Sequence, residues 1–148
     1  MKGKILSLTA ILSLVLIFTS CSKYEDGGPL GNPEKVIAAD WVFDNFKALP
    51  GSDPDLPVAS TNTQNYTESL IIEANGDFSH DISFESNGTS FTALYTGQWY
   101  LFDDDTRIHF MAIDDEGDII PIDFRIIRLK KDELVLQDES GHQFFYTD

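Results

Sequence analysis

The sequence predicts an all-β domain, an antiparallel up-and-down β-barrel of about eight strands, and three observations carry that expectation. From residue 66 onward, short runs alternate apolar and polar residues. Each run closes in a cluster of turn-forming residues, among them Asn75-Gly76-Asp77, Asn87-Gly88 and Asp103-Asp104-Asp105. The inward phase of these runs is dominated by Phe, Ile, Trp and Leu. Successive side chains of a strand point to opposite faces, so each run has one dry face and one wet face, as in antiparallel strands packed on one side. Consecutive hairpins favour closure into a barrel, which removes exposed edges; a β-sandwich is the alternative arrangement.

Residues 34–40 suit one helical turn or a continued lead-in. A first strand over 39–48 carries Trp41, Phe43 and, after a change of phase, Phe46. Residues 49–63 then form the longest irregular connection, with Pro50, Gly51, Pro54 and Pro57. Connections of that length are uncommon unless they act as lids or binding loops, and a solvated surface excursion is the competing reading. Strands follow at 66–73, 78–85, 89–102, 106–113, 119–129, 133–137 and 142–147. Both Asn-Gly pairs signal type I′ hairpins, which need positive φ at two successive positions. Gly97 marks a bend or bulge. Period 2 turns Phe78, His80, Ile82 and Phe84 inward, then Phe91, Ala93, Tyr95, Gly97, Trp99 and Leu101. Ile108, Phe110, Ala112, Ile120, Ile122, Phe124, Ile126, Leu134 and Leu136 continue that face. A break of phase at 127–129 predicts a bulge, and Pro121, lacking an N–H, predicts an edge or bulged position.

Ahead of this domain, Lys2 and Lys4 precede an apolar run over residues 5–18, which is 14 residues long. Crossing a bilayer takes about 20 apolar residues, so the run reads as a cleaved signal peptide over 1–20. Cys21, the single cysteine of the chain, follows where small residues begin, and reads as the site of lipid attachment. Residues 21–33 read as a flexible tether and 34–148 as the barrel domain. Loss of residues 1–20 removes two lysines and no acid, leaving 8 basic against 25 acidic residues and a formal charge of −17. Such a surface repels nucleic acid and anionic lipid heads.

Two resemblances follow from these residues. Leu16-Ile17-Phe18-Thr19-Ser20-Cys21 is similar to a lipobox, with Phe18-Thr19-Ser20 in place of the commoner Leu-Ser/Ala-Gly/Ala. Ser22-Lys23-Tyr24-Glu25-Asp26-Gly27 looks like the acidic export signal of Bacteroidota surface lipoproteins. This implies an outer-membrane lipoprotein on the periplasmic or cell-surface face. Glu73-Ala74-Asn75-Gly76-Asp77-Phe78, Gly97-Gln98-Trp99 and Asp132-Glu133-Leu134-Val135-Leu136 resemble the lipocalin-like domains of such lipoproteins. The first strand departs from them, with Ala39-Asp40-Trp41 where many relatives have Gly-x-Trp. The resemblance implies a barrel whose long first loop, here 49–63, covers the open end.

Alternating hairpins put residues 49–63, 86–88, 114–118 and 138–141 at one end, which predicts an acidic rim around a lumen. The candidate ligand-binding residues are His80, Phe84, Tyr95, Trp99, Phe110 and Phe124. An eight-stranded barrel either holds one small ligand or is filled by its own side chains, and His80 reads first as a satisfied core or end-lining histidine with a local hydrogen bond and second as a ligand contact. The acidic turns lack the spaced ligands of a calcium loop, no His pair has zinc spacing, and no nucleophile motif is present. No catalytic residue, metal or cofactor is therefore assigned. The expected function is non-catalytic binding of a small apolar ligand by a membrane-anchored barrel. The alternative is an accessory envelope lipoprotein with a solid barrel that contacts another protein or a glycan.

Overall fold

A computed structural model of the chain describes residues 23–25, 31–50, 63–114 and 116–148. The expected signal peptide, Cys21 and most of the 49–63 connection lie outside the described residues. A short helix α1 (Pro33–Ile37) is followed by eight strands: β1 (Asp40–Lys47), β2 (Thr63–Ile72), β3 (Asp77–Ser86), β4 (Thr89–Phe102), β5 (Arg107–Ile113), β6 (Ile119–Lys130), β7 (Glu133–Gln137) and β8 (Gln143–Thr147). Each pairs antiparallel with the next, and β1 pairs with β8, so the sheet closes into a barrel. That closure decides against the sandwich.

The hairpins separate into two chemistries. Asn87 and Gly88 both have positive φ (52° and 76°), as a type I′ turn requires. Asn75-Gly76 does not repeat this. There only Gly76 is left-handed, and Gly76 N–H donates to Glu73 O while Glu73 N–H donates to Asp77 O. The turns at 114–118 and 138–142 share that pattern, closed at Gly117 and Gly141. In these three hairpins an ordinary turn is followed by one left-handed glycine, so one positive φ suffices.

The irregularities fall where the sequence predicts them, with one change of cause and one addition, a register shift between Gln64 and Thr67 where Asn65 is left-handed. Register shifts between Phe43 and Asn45, which lets Phe43 and Phe46 both meet β8, and again between Ile126 and Arg128. Pro121 pairs with Met111 on one side, and lies in the part of β6 that runs beyond β7, an edge that needs no N–H. Gly97 is not a bulge, because register through it is unbroken toward both β3 and β5. Glycine is required because a Cβ there would lie 1.9 Å from Met111 O, where two strands press together at a barrel corner.

One end of the barrel is closed and apolar. Trp41, Leu70, Ile72, Phe78, Trp99, Ile108, Phe110, Ile126, Leu129 and Leu134 are buried there, and Ile37 of α1 packs against them. Indole N–H groups would be costly to bury unpaired, and both donate: Trp41 to Ile37 O (2.8 Å) and Trp99 to Glu73 O (2.9 Å). The segment before α1 does not hang free as a tether at residues 23–25. Tyr24 is 2% exposed and joins the core, its hydroxyl donating to Asp105 O at 3.0 Å. Lys23 pairs with Asp105 and Arg125 with Glu25 on either side of it. The folded unit thus reaches back to Lys23. Asp103, Asp104 and Asp105, expected as a solvated turn, are three successive left-handed residues (φ 51°, 56° and 56°) braced by this segment.

Candidate functional site

The inward alternation of β2 is Tyr66, Glu68, Leu70, Ile72, which carries a carboxylate into the barrel in phase with its apolar stripe. Glu68 is 5% exposed. Three elements bring donors to it. His80 of β3 approaches with Nε2 at 2.7 Å from Oε1, Tyr146 of β8 donates its hydroxyl to the same oxygen at 2.5 Å, and Tyr66 donates to Oε2 at 2.5 Å. An ionised carboxylate only accepts, so the imidazole must carry its proton on Nε2. No other group among the described residues bonds the imidazole, which leaves Nδ1 available.

The electrostatics follow from that geometry. Burial by itself pushes the Glu68 carboxyl up, but the His80 imidazole and the two phenols outweigh it and hold it below its usual value. The same burial and the adjacent carboxylate push Tyr66 and Tyr146 well above the usual phenol range, so both stay protonated as donors. The cluster is a buried carboxylate whose three known donors are all committed to it, a net anion while the imidazole is neutral. Its remaining capacity is acceptor capacity: the phenol oxygens, the free lone pair of the carboxylate and, in neutral imidazole, Nδ1.

Above the cluster, away from the closed end, the inward side chains are aromatic and half-buried. The Tyr66 ring meets Phe43 at 5.2 Å and Phe84 at 6.4 Å, and His80 meets Tyr95 at 6.2 Å. On the facing wall Phe124 lies 5.8 Å from Phe144, which in turn lies 5.3 Å from Phe46. The six candidate residues therefore separate. His80, Phe84, Tyr95 and Phe124 line the half toward the long first loop, whereas Trp99 and Phe110 belong to the packed floor, Phe110 against Phe78 at 4.7 Å. Phe91, expected inside, is 46% exposed because the β3–β4 hairpin overshoots the end of β5 and lifts it past the barrel wall. Its ring stacks on Phe84 at 5.1 Å.

The rim of this end is acidic. Asp114 and Glu116 share a cleft of about 180 Å³ with Ala93, Leu94 and Tyr95. Asp138 and Glu139 line a second cleft beside Ile122 and Phe124. Asp114 and Asp138 also order their own turns through their side chains, accepting from Asp118 N–H and His142 N–H.

Sequence alternation carries the signal for Glu68, an acid in phase with Leu70 and Ile72. It carries none for Tyr146, 78 residues away in the chain, which meets Glu68 only because β8 closes on β1. Among the described residues, no group of three or more His, Cys, Asp or Glu side chains is arranged to hold a metal ion, and no helix is long and apolar enough to cross a membrane. Fold and site together define a closed eight-stranded antiparallel barrel with a buried carboxylate that accepts three hydrogen bonds below a half-open aromatic end. No protein-family model matches the chain, and no curated protein is significantly similar to it.

Proposed function

We propose that this chain is a membrane-anchored, lipocalin-like lipoprotein that binds a small apolar ligand, without catalysis, in the open half of its barrel. The observation that carries the reading is the asymmetry of the two ends. A barrel that served only as a solid scaffold would bury its inward side chains equally. Here those at the closed end are buried, while Phe84, Tyr95, Ile120, Ile122, Phe124 and Phe144 remain partly exposed. Apolar walls with a few convergent polar groups are the usual make-up of small-molecule sites.

The anchor in this reading is lipid on Cys21. Tyr24 is packed into the closed end, and three residues of extended chain span at most about 10 Å. The lipid would therefore hold the barrel close to the outer membrane by its closed end, with the aromatic mouth facing away.

Binding is tested with N-phenyl-1-naphthylamine, a neutral apolar dye that fluoresces when it leaves water. Saturable binding that Phe124→Ala weakens several-fold, with the fold intact by circular dichroism, supports the reading. A failure to bind favours the alternative of an accessory lipoprotein with a filled barrel. One observation favours that alternative: Leu94, Met111, Ile113 and Ile119 are exposed on the outer wall of β4–β6, where an envelope protein or glycan would dock. Lipidation has its own test, since Cys21→Ser should abolish incorporation of labelled fatty acid.

A further inference from the structure

We infer that the ligand is amphipathic and cationic, an apolar body bearing a protonated amine that is received by the Glu68 cluster. This rests on the lumen-binding reading above and adds the chemical class of the ligand.

The carboxylate is not needed to fill space. Leu70 and Ile72 on the same strand pack the core without a charge, and the residue opposite Glu68 is Ile82. Desolvating a carboxylate is costly even when it is paired, and well-packed apolar residues often replace a buried ion pair at no loss. A buried charge kept at the base of a half-open lumen is thus a candidate for ligand recognition.

The donor count then selects the ligand. Tyr66, Tyr146 and His80 each spend a proton on Glu68. A carboxylate offers about four lone-pair sites, and three are occupied, so the cluster can accept one more donor. A ligand carboxylate or phosphate would bring only acceptors and a like charge. An alcohol supplies one donor without charge. An ammonium supplies three donors and the opposite charge.

The route inward favours the same sign. Asp114 and Glu116 share the rim cleft with Tyr95, and the Tyr95 ring lies against His80, which bonds Glu68. Acidic groups therefore precede the buried carboxylate along the approach, and the chain as a whole carries a formal charge of −15. Clefts of one charge sign concentrate ligands of the other.

The test displaces bound N-phenyl-1-naphthylamine from the full-length chain at pH 7 with four compounds of one chain length, each below its micelle concentration. They are decylamine, decyltrimethylammonium, decanol and decanoate. Decylamine should displace the dye at least ten-fold better than decanol, and decanoate worst. Decyltrimethylammonium, with the charge but no N–H, should fall between decylamine and decanol. Glu68→Gln should bring decylamine to within about three-fold of decanol. If the dye binds and all heads displace it equally, or decanoate does so best, the amine class is overturned while lumen binding stands. If neither dye nor amphiphile binds, lumen binding fails and the amine inference with it. Should Glu68→Gln not fold, the wild-type order of the four heads decides.

Discussion

Replacing Glu68 by Gln changes one atom and tests the physical account of the barrel interior. Gln keeps the volume, loses the charge, and turns one acceptor oxygen into an NH₂ donor. Hydrogen bonds to a charged group contribute about 1.5–3 kcal/mol each and neutral ones about 0.5–1.5. With three bonds at 2.5–2.7 Å, weakening each by about 1 kcal/mol predicts a loss of about 3 kcal/mol, at the low end of what removing one partner of a buried pair costs. Tyr66, the single donor to Oε2, must also rotate its hydroxyl to avoid the new NH₂. A loss of 3 kcal/mol corresponds to a fall in Tm of about 12 °C for a domain of this size. Urea unfolding followed by the fluorescence of Trp41 and Trp99, both core residues, measures it at pH 7. The pH dependence supplies a second check. Because the folded carboxyl titrates below its ordinary value of 4.5, the wild-type advantage is full above that value and is lost as pH falls through the lower folded one. The gap between wild type and Glu68→Gln should therefore narrow as pH falls below 4.5. A gap under 1 kcal/mol at pH 7, or one unchanged at pH 3.5, would refute the reasoning.

Three further outcomes are expected. Gly97→Ala would force a methyl to 1.9 Å from Met111 O, and should cost about 3 kcal/mol, the upper end for overpacking; a Tm within 2 °C of wild type would show that β4 and β5 separate freely. Tyr24→Phe removes the bond to Asp105 O and should cost about 1 kcal/mol at pH 7. Burial, then Asp105 and Asp104, push the Tyr24 phenol from 10.0 up to about 12. Its contribution is full below pH 10 and lost as pH rises toward 12, so the gap between the two proteins should narrow across that window in a stability titration. Asp104 is held at φ 56° with its side chain 96% exposed. Asp104→Gly should thus relieve left-handed strain and raise stability by about 0.5–1 kcal/mol, read as a shifted urea midpoint.

Much of the architecture was legible because a β-strand writes its two faces into the chain at period 2. The alternation of Phe78 to Phe84 and of Ile108 to Ala112, punctuated by turn clusters, located eight strands within a few residues of their observed ends. It also located the bulge after Ile126, where two apolar residues in succession cannot both face inward on a regular strand. Turn geometry was less legible, since Asn75-Gly76 and Asn87-Gly88 are the same dipeptide yet adopt different turns. Loop length, set by where neighbouring strands pair, selects between them.

What the sequence by itself determined is local: which residues form strands and which face is dry. What only the tertiary structure decided is long-range. Closure of β8 on β1 carries Tyr146 to Glu68, the overshoot of the β3–β4 hairpin exposes Phe91, and the chain before α1 folds back to bury Tyr24. The physical reason is the same in each case. Period 2 states that a side chain points inward but not what it meets there, and in a closed sheet that partner is set by register across strands far apart in the chain.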